Sequence, residues 1–188
     1  MNIIAGIDYS LTGPAVCVFS GDGLFTFNQC NFYYLTDTKK YSRSYRSNIH
    51  GQLFAEYNAE TERYKTIADW ACNKLVGCSR IALEDYAYSR GHAGRVFHIA
   101  ENTGVLKYKI WEMGLPIDTF SPTSIKKFAT GKGNAKKTDM YEAFVRDTGV
   151  HLMGIMNMKT LNNPITDIVD SYYICHKMHE HLFPDTTS

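Results

Sequence analysis

The chain contains no apolar run long enough to cross a bilayer, and its N-terminus lacks the basic stretch and apolar core of a secretion signal. Those two absences lead to the expectation of a cytoplasmic protein with no membrane partner. No Cys-x-x-Cys pair occurs. The five cysteines (Cys17, Cys30, Cys72, Cys78 and Cys175) are scattered and odd in number, which excludes zinc-finger spacing and points to reduced thiols. Net charge is only +1, so bulk electrostatics do not advertise a nucleic-acid partner. There is no internal repeat and no low-complexity tract. The 188 residues suffice for one domain with a full core and are too few for two comfortable ones, and the 44% hydrophobic fraction fits a globular protein.

What is present is acid at the ends of apolar runs. Asn2-Ile3-Ile4-Ala5-Gly6-Ile7-Asp8-Tyr9-Ser10 reads as a strand ending on a carboxylate. Gly13-Pro14 then turns the chain, and residues 15–19 can pair back as a hairpin. A carboxylate at the end of a buried strand is costly unless something compensates, commonly a metal ion. Alone, an Asp that merely opens a turn explains Asp8 as well. The pattern recurs, however, at Arg80-Ile81-Ala82-Leu83-Glu84-Asp85. It is joined by Asp167-Ile168-Val169-Asp170, whose three-residue spacing sets two carboxylates on one helix face. Acid at two strand ends plus a helical acid pair is the donor set of a two-metal phosphodiesterase, and hard oxygen ligands suit Mg²⁺ or Mn²⁺. Asp85 follows Glu84 directly and points to the other strand face, so it is left out.

Positive charge is concentrated in two places. Lys39, Lys40, Arg43 and Arg46 cluster with Tyr41 and Tyr45, and Lys126, Lys127, Lys132, Lys136 and Lys137 surround a Gly-rich loop. Residues 36–50 lack apolar periodicity and read as a basic, aromatic surface insertion. Two readings stay open for it: tyrosines that stack on bases while Lys and Arg hold phosphates, or a solvated loop. Residues 24–27 and 30–35 read as a third strand with a bulge. Helices are expected over 56–76, 96–113, 122–130, 138–147 and 165–181, with strands at 80–84 and 117–120. Residues 85–94 read as a polar, flexible stretch. The class is α/β, a mixed central β-sheet flanked by α-helices.

In that order and spacing, Gly6-Ile7-Asp8-Tyr9-Ser10, Leu83-Glu84-Asp85-Tyr86, residues 120–127, residues 131–137 and Asp167-Ile168-Val169-Asp170-Ser171 make a recognisable set. The chain resembles the RuvC-type Holliday junction resolvases of the RNase H-like superfamily, in a phage or viral branch, which would place it in host-cell cytoplasm. The resemblance implies one RNase H-like nuclease domain over 1–188, acting as a homodimer that nicks four-way or other branched DNA with two divalent ions. It implies Asp8, Glu84, Asp167 and Asp170 as metal ligands, and a phosphate-contacting lysine among Lys132, Lys136 and Lys137. Tyr86 and Tyr88 flank the place where relatives carry a junction-wedging aromatic. With the resemblance, the DNA-contacting set becomes Lys39, Lys40, Arg43, Arg46, Tyr86, Tyr88, Lys132, Lys136 and Lys137.

Plainer readings cover other features. His176, His179 and His181 are expected on a solvated helix face, without the HExxH arrangement of a zinc site. Gly131-Lys132-Gly133 lacks the Lys-Ser/Thr pair of a P-loop. The methionines around 155 are expected in the core or at a dimer surface, and Tyr9 and Phe97 in packing roles. Competing functions are an RNase H acting on RNA–DNA hybrids, a non-catalytic branched-DNA-binding module, and an actin-like kinase, for which the chain is too short.

Overall fold

The computed structural model describes residues 2–85 and 93–184. Seven strands form one sheet: β1 (Asn2–Asp8), β2 (Ala15–Gly21), β3 (Cys30–Thr36), β4 (Ser44–Tyr45), β5 (Ile49–Leu53), β6 (Arg80–Glu84) and β7 (Ile117–Phe120), in the order β4-β5-β3-β2-β1-β6-β7. β1 pairs antiparallel with β2 and parallel with β6; β3 pairs parallel with β5, and β6 with β7. Every strand except β2 and β4 therefore ends on the same edge of the sheet. The helices are α1 (Glu60–Lys74), α2 (Ala93–Glu112), α3 (Pro122–Thr130), α4 (Lys137–Thr148), α5 (Leu152–Ile155) and α6 (Ile165–Leu182).

Local chemistry explains the boundaries. α1 opens with Glu60 and Glu62, which face the positive end of its dipole. It buries Tyr64, Ile67, Ala68 and Ala71 at helical spacing. The Ser121 hydroxyl accepts from Ser124 N at 3.3 Å to cap α3, Pro122 occupies its first turn, and Gly131 ends it at φ +78°. The two sheet faces are covered separately. Phe19, Phe32, Tyr34, Phe144, Ile168 and Tyr172 fill one core beneath α3, α4 and α6. Ile7, Val16, Ile67, Leu83 and Leu106 fill the other beneath α1 and α2.

α6 lies directly on β1. A Cβ at Gly6 would overlap the Cys175 backbone nitrogen. Gly6→Ala must push the helix that carries Asp167 and Asp170 off the strand that carries Asp8. We expect a loss of ~3 kcal/mol or more, read as a Tm fall of about 6–12 °C. An unchanged Tm would mean that α6 stands farther off.

Several sequence expectations change. Residues 24–26 are not strand, and residues 27–29 form a 3₁₀ turn before β3 starts at Cys30. α1 begins at Glu60 rather than 56, leaving Tyr57 outside it. Residues 36–50 are no free loop: β4 and the start of β5 extend the sheet there, Tyr45 is buried, and the Tyr34 hydroxyl donates to the Tyr41 carbonyl at 2.6 Å. The short, polar β4 gave no period-2 signal, because it pairs through backbone alone at an edge.

Of the C-terminal histidines, His181 is exposed as expected, but His176 and His179 are not on a solvated face. His179 is 2% exposed and His176 stacks on Phe25 at 4.5 Å, because the 22–29 segment folds over that end of α6. Phe97, expected to pack, is 70% exposed. Met140 and Met156 are core residues. Among the described residues no helix is long and apolar enough to cross a membrane.

Candidate active site

Asp8 and Glu84 are the last residues of β1 and β6, one position beyond the paired Ile7 and Leu83. The parallel ladder thus sets the two carboxylates side by side at the same sheet edge. Ile4 and Ala82, alternate neighbours of these acids along their strands, face the core under α6. Both acids therefore point toward α6, whose first turns bring Asp167 and Asp170 to them. The β1–β2 turn closes over this place: a Cβ at Gly13 would lie 2.5 Å from Asp167 Oδ2.

The four acids feel one another. Burial, then the charges of Asp170, Asp167 and Glu84, hold the Asp8 carboxyl well above the ordinary carboxylate range, against the pull of Lys137. Burial and Asp170 push Glu84 up to about 7, with Lys126 opposing. Burial and Asp170 also push Asp167 to about 7, opposed by Lys137 and the Thr166 hydroxyl. Asp170 rises to about 6 through burial, with Lys137 and Lys126 pulling it back. Asp167 Oδ2 is buried with no hydrogen-bond partner. A donor set of carboxylate oxygens alone, one of them buried and unsatisfied, fits a hard divalent cation. The side chains do not converge, however: among the described residues no group of three Asp, Glu, His or Cys stands close enough to hold one ion. Mutual repulsion of four carboxylates favours rotamers that keep them apart, and convergence needs a charge to offset it.

The lysines are sorted by α3 and α4. Lys137, the first residue of α4, donates from Nζ to Thr166 Oγ1 at 3.5 Å and shares a small cleft with Asp170. Lys126, on α3, acts on Glu84 and Asp170. In the sequence Lys126 stands out only as a member of the basic set around the Gly-rich loop. Its cue was one turn of amphipathic helix after the Ser121-Pro122 cap. Lys132 and Lys136, two of the expected catalytic lysines, are not brought to the acids. Lys132 borders the opposite face of α4 with Asp139, Glu142 and Arg146, and Lys136 caps α4 by donating its backbone N–H to Asp139 Oδ2 at 2.7 Å. The turn at Gly131 and the start of α4 at residue 137 put only Lys137 on the acid side.

The other basic set is divided. Lys39 and Lys40 are exposed just past the end of β3, on the edge that carries Asp8, and Lys40 lies over Tyr41. Arg43 stacks on buried Tyr45 at 4.8 Å. Arg46 sits over Phe27 in the turn between β4 and β5, at the opposite end of the sheet from the acids. Tyr86 and Tyr88 lie outside the described residues. Beside the acids a cleft of about 340 Å³ is walled by Tyr9, Val96, Ile99, Ala100 and Thr103. The Tyr9 hydroxyl donates to buried Asn102 Oδ1 at 3.4 Å, so Tyr9 is a wall of the cleft as well as a packing residue.

Compared with solved structures, the chain superposes on a Thermus thermophilus RuvC structure with a TM-score of 0.63, at 17% identity and covering 98% of this chain and 97% of that one. The same bacterium's RuvC in complex with Holliday junction substrate gives 0.65 at 16% identity, covering 99% and 98%. The fold is that of RuvC. The yeast mitochondrial Holliday junction resolvase Ydc2 shares this RuvC-like fold more loosely, with a TM-score of 0.56, 12% identity and coverage of 93% and 76%. In sequence, RuvC crossover junction endodeoxyribonucleases of Corynebacterium diphtheriae and Corynebacterium glutamicum are 32% identical over 63 residues and 34% identical over 70 residues. Those stretches are 34% and 37% of this chain, and the chain spans only 39% and 31% of the relatives' lengths. No protein-family model matches. These RuvC relatives are bacterial, so the viral branch expected from the sequence finds no support among them.

Proposed function

We propose that residues 1–188 form one nuclease domain that nicks phosphodiester bonds in four-way and other branched DNA. The observation that carries the reading is the coupling of Asp8, Glu84, Asp167 and Asp170 at one sheet edge. A pure binding module gains nothing from four carboxylates facing phosphate. Within this reading the four acids hold two Mg²⁺ or Mn²⁺ ions. When bound, the ions supply positive charge at the phosphate and make attack by water feasible at neutral pH.

The chain's own residues do the rest. Lys137 and Lys126 stand on the acids' flank, where their ammonium groups bind the nonbridging oxygens of the scissile phosphate and hold it in line. Ile99 and Val96 form an apolar wall that limits water at the cleft. Lys39 and Lys40 extend the path of the backbone along the strand ends. Lys137→Ala should lower the cleavage rate about 10²-fold, and Lys132→Ala should leave it within about twofold. Equal effects of the two substitutions would undo the assignment of Lys137.

A second copy of the chain fits α2. Phe97, Gly104, Tyr108 and Trp111 share one face of the helix. The three aromatics are 70%, 58% and 72% exposed, and a Cβ at Gly104 would meet nothing. Phe97 and Trp111 are equally spaced about Gly104, so an antiparallel two-fold contact there sets Phe97 against Trp111 of the partner subunit. Gly104→Arg should give a monomer in sedimentation that keeps its helical circular dichroism; a dimer of undiminished affinity would place the interface elsewhere.

The deciding assay compares a labelled four-way junction, flap, linear duplex and RNA–DNA hybrid in Mg²⁺, with EDTA as control. Metal-dependent nicks in branched DNA are expected. Cutting of the hybrid alone would move the reading to an RNase H, and no cutting by a chain that binds junctions would leave a binding module.

A further inference from the structure

A cleft of about 360 Å³ opens on the α1 side of the sheet, between α1 and the end of β5. Its size is that of a small-molecule site. Phe54, half-buried, and Trp70, 7% exposed, supply its apolar lining, and Gln52 and Asn73 present carboxamides. Both carboxamides are exposed, and among the described residues neither is hydrogen-bonded. Each offers a donor and an acceptor side by side, the pattern that reads the edge of a base. Asp69 also borders the cleft, but Lys65 and Lys109 each hold its carboxylate at 2.7 Å, so it does not repel an anion as a bare charge would. Lys74 stands at one end of the cleft, 5.1 Å over the Tyr33 ring. At its mouth Leu53 pairs with Thr36, and exposed Lys39 and Lys40 follow at once.

A planar heteroaromatic ring with an anionic tail meets all of these features. A drier apolar ligand would leave the carboxamides unpaired, and a bare anion would leave Trp70 and Phe54 unused. The cleft's distance from the acids is set by the sheet. Asp8 pairs with Ala15, Ala15 with Tyr34 and Tyr34 with Gly51, in one row across four strands. Three steps between strands come to ~14 Å. Gln52 is the next residue after Gly51 and points to the α1 side. The acids face α6 and the cleft faces α1, so a strand joining them turns over the sheet edge and its path is longer than that separation.

We propose that this cleft takes one unpaired nucleobase of the strand being cut, within several nucleotides of the scissile phosphate. The base packs against Phe54 and the part of Trp70 that reaches the cleft and is read by Gln52 and Asn73, and the strand turns over the sheet edge past Lys39 and Lys40. The inference rests on the branched-DNA nuclease reading and deepens it: a base must leave its pair to enter, so the site favours DNA already unpaired near a branch.

The test uses four-way junctions carrying a single 5-iodouracil at each of the first eight positions from the cut, irradiated in complex with the wild-type chain in EDTA. Cleavage of the unmodified junction in Mg²⁺ runs alongside. The expected cross-link peaks at one of these eight positions and maps to the peptide holding Phe54 or the one holding Trp70. Gln52→Ala with Asn73→Ala, both at exposed positions, should weaken junction binding about tenfold and abolish the positional peak without changing Tm. Normal cleavage with no positional peak, a peak mapping to other peptides, or a double variant that binds like wild type overturns the cleft and leaves the nuclease reading standing. A wild-type chain that cuts no branched DNA overturns both.

Discussion

Asp8→Asn should abolish cleavage, by about 10³-fold or more, while leaving junction affinity equal to wild type or higher. The asymmetry follows from charge. Asp8 sits where Asp170, Asp167 and Glu84 already repel one another, and desolvation holds its carboxyl above the ordinary range. Removing it relieves repulsion toward phosphate, so binding gains or stays level. It also deletes the donor that β1 supplies at the meeting point of β6 and α6, so the constellation that would hold divalent ions loses a member. The amide is nearly isosteric and Asp8 ends its strand, so β1 and its hairpin with β2 remain intact. Binding by electrophoretic shift and cleavage in Mg²⁺ should be measured on the same preparation. Parallel loss of both in a folded variant would mean that Asp8 is a structural residue of the turn, the plainer reading with which the sequence began.

Asp8, Glu84 and the Asp167–Asp170 pair were legible in the sequence for a physical reason. Each closes or interrupts a strongly apolar run, where an unpaired carboxylate is conspicuous against its neighbours. The strands and helices that carry them have clear periods and caps, such as Ser121-Pro122 before α3. The lysines were harder. Lys132, Lys136 and Lys137 are near neighbours in one basic stretch, and only the direction in which the chain leaves Gly131 decides that Lys137 faces Asp170. Sequence carries that direction weakly. β4 and β5 were missed because backbone pairing at an edge needs no apolar alternation, and the aromatics of 36–50 proved to be partly core, as buried Tyr45 shows. The burial of His179 depends on the 22–29 segment folding across α6, a contact between residues more than 150 apart.

The metal-free chain should lose stability as pH rises from about 4 to about 7, and Mg²⁺ should restore it. In the folded protein Glu84 and Asp167 titrate near 7 and Asp170 near 6. In the unfolded chain they titrate near ordinary carboxylate values of about 4. Between those limits the folded state holds protons that the unfolded state has released, so the unfolding free energy falls with each step up in pH. The stability these groups contribute is complete below about pH 4 and gone above about pH 7. Divalent cations bind the deprotonated acids, so the Tm gain from Mg²⁺ should be small at pH 5 and large at pH 8. Asp170→Asn provides the internal control, because Asp170 raises Asp8, Glu84 and Asp167 alike. In EDTA at pH 8 this variant should melt at least about 2–4 °C above wild type, the shift that ~1 kcal/mol produces in a chain of this size. Its response to Mg²⁺ should shrink at the same time. Thermal melts in EDTA and in Mg²⁺ at pH 5, 6, 7 and 8 decide the matter. A wild-type Tm flat across that range and indifferent to Mg²⁺ would show that the four acids are not a coupled cluster, and the nuclease reading would lose the observation that carries it.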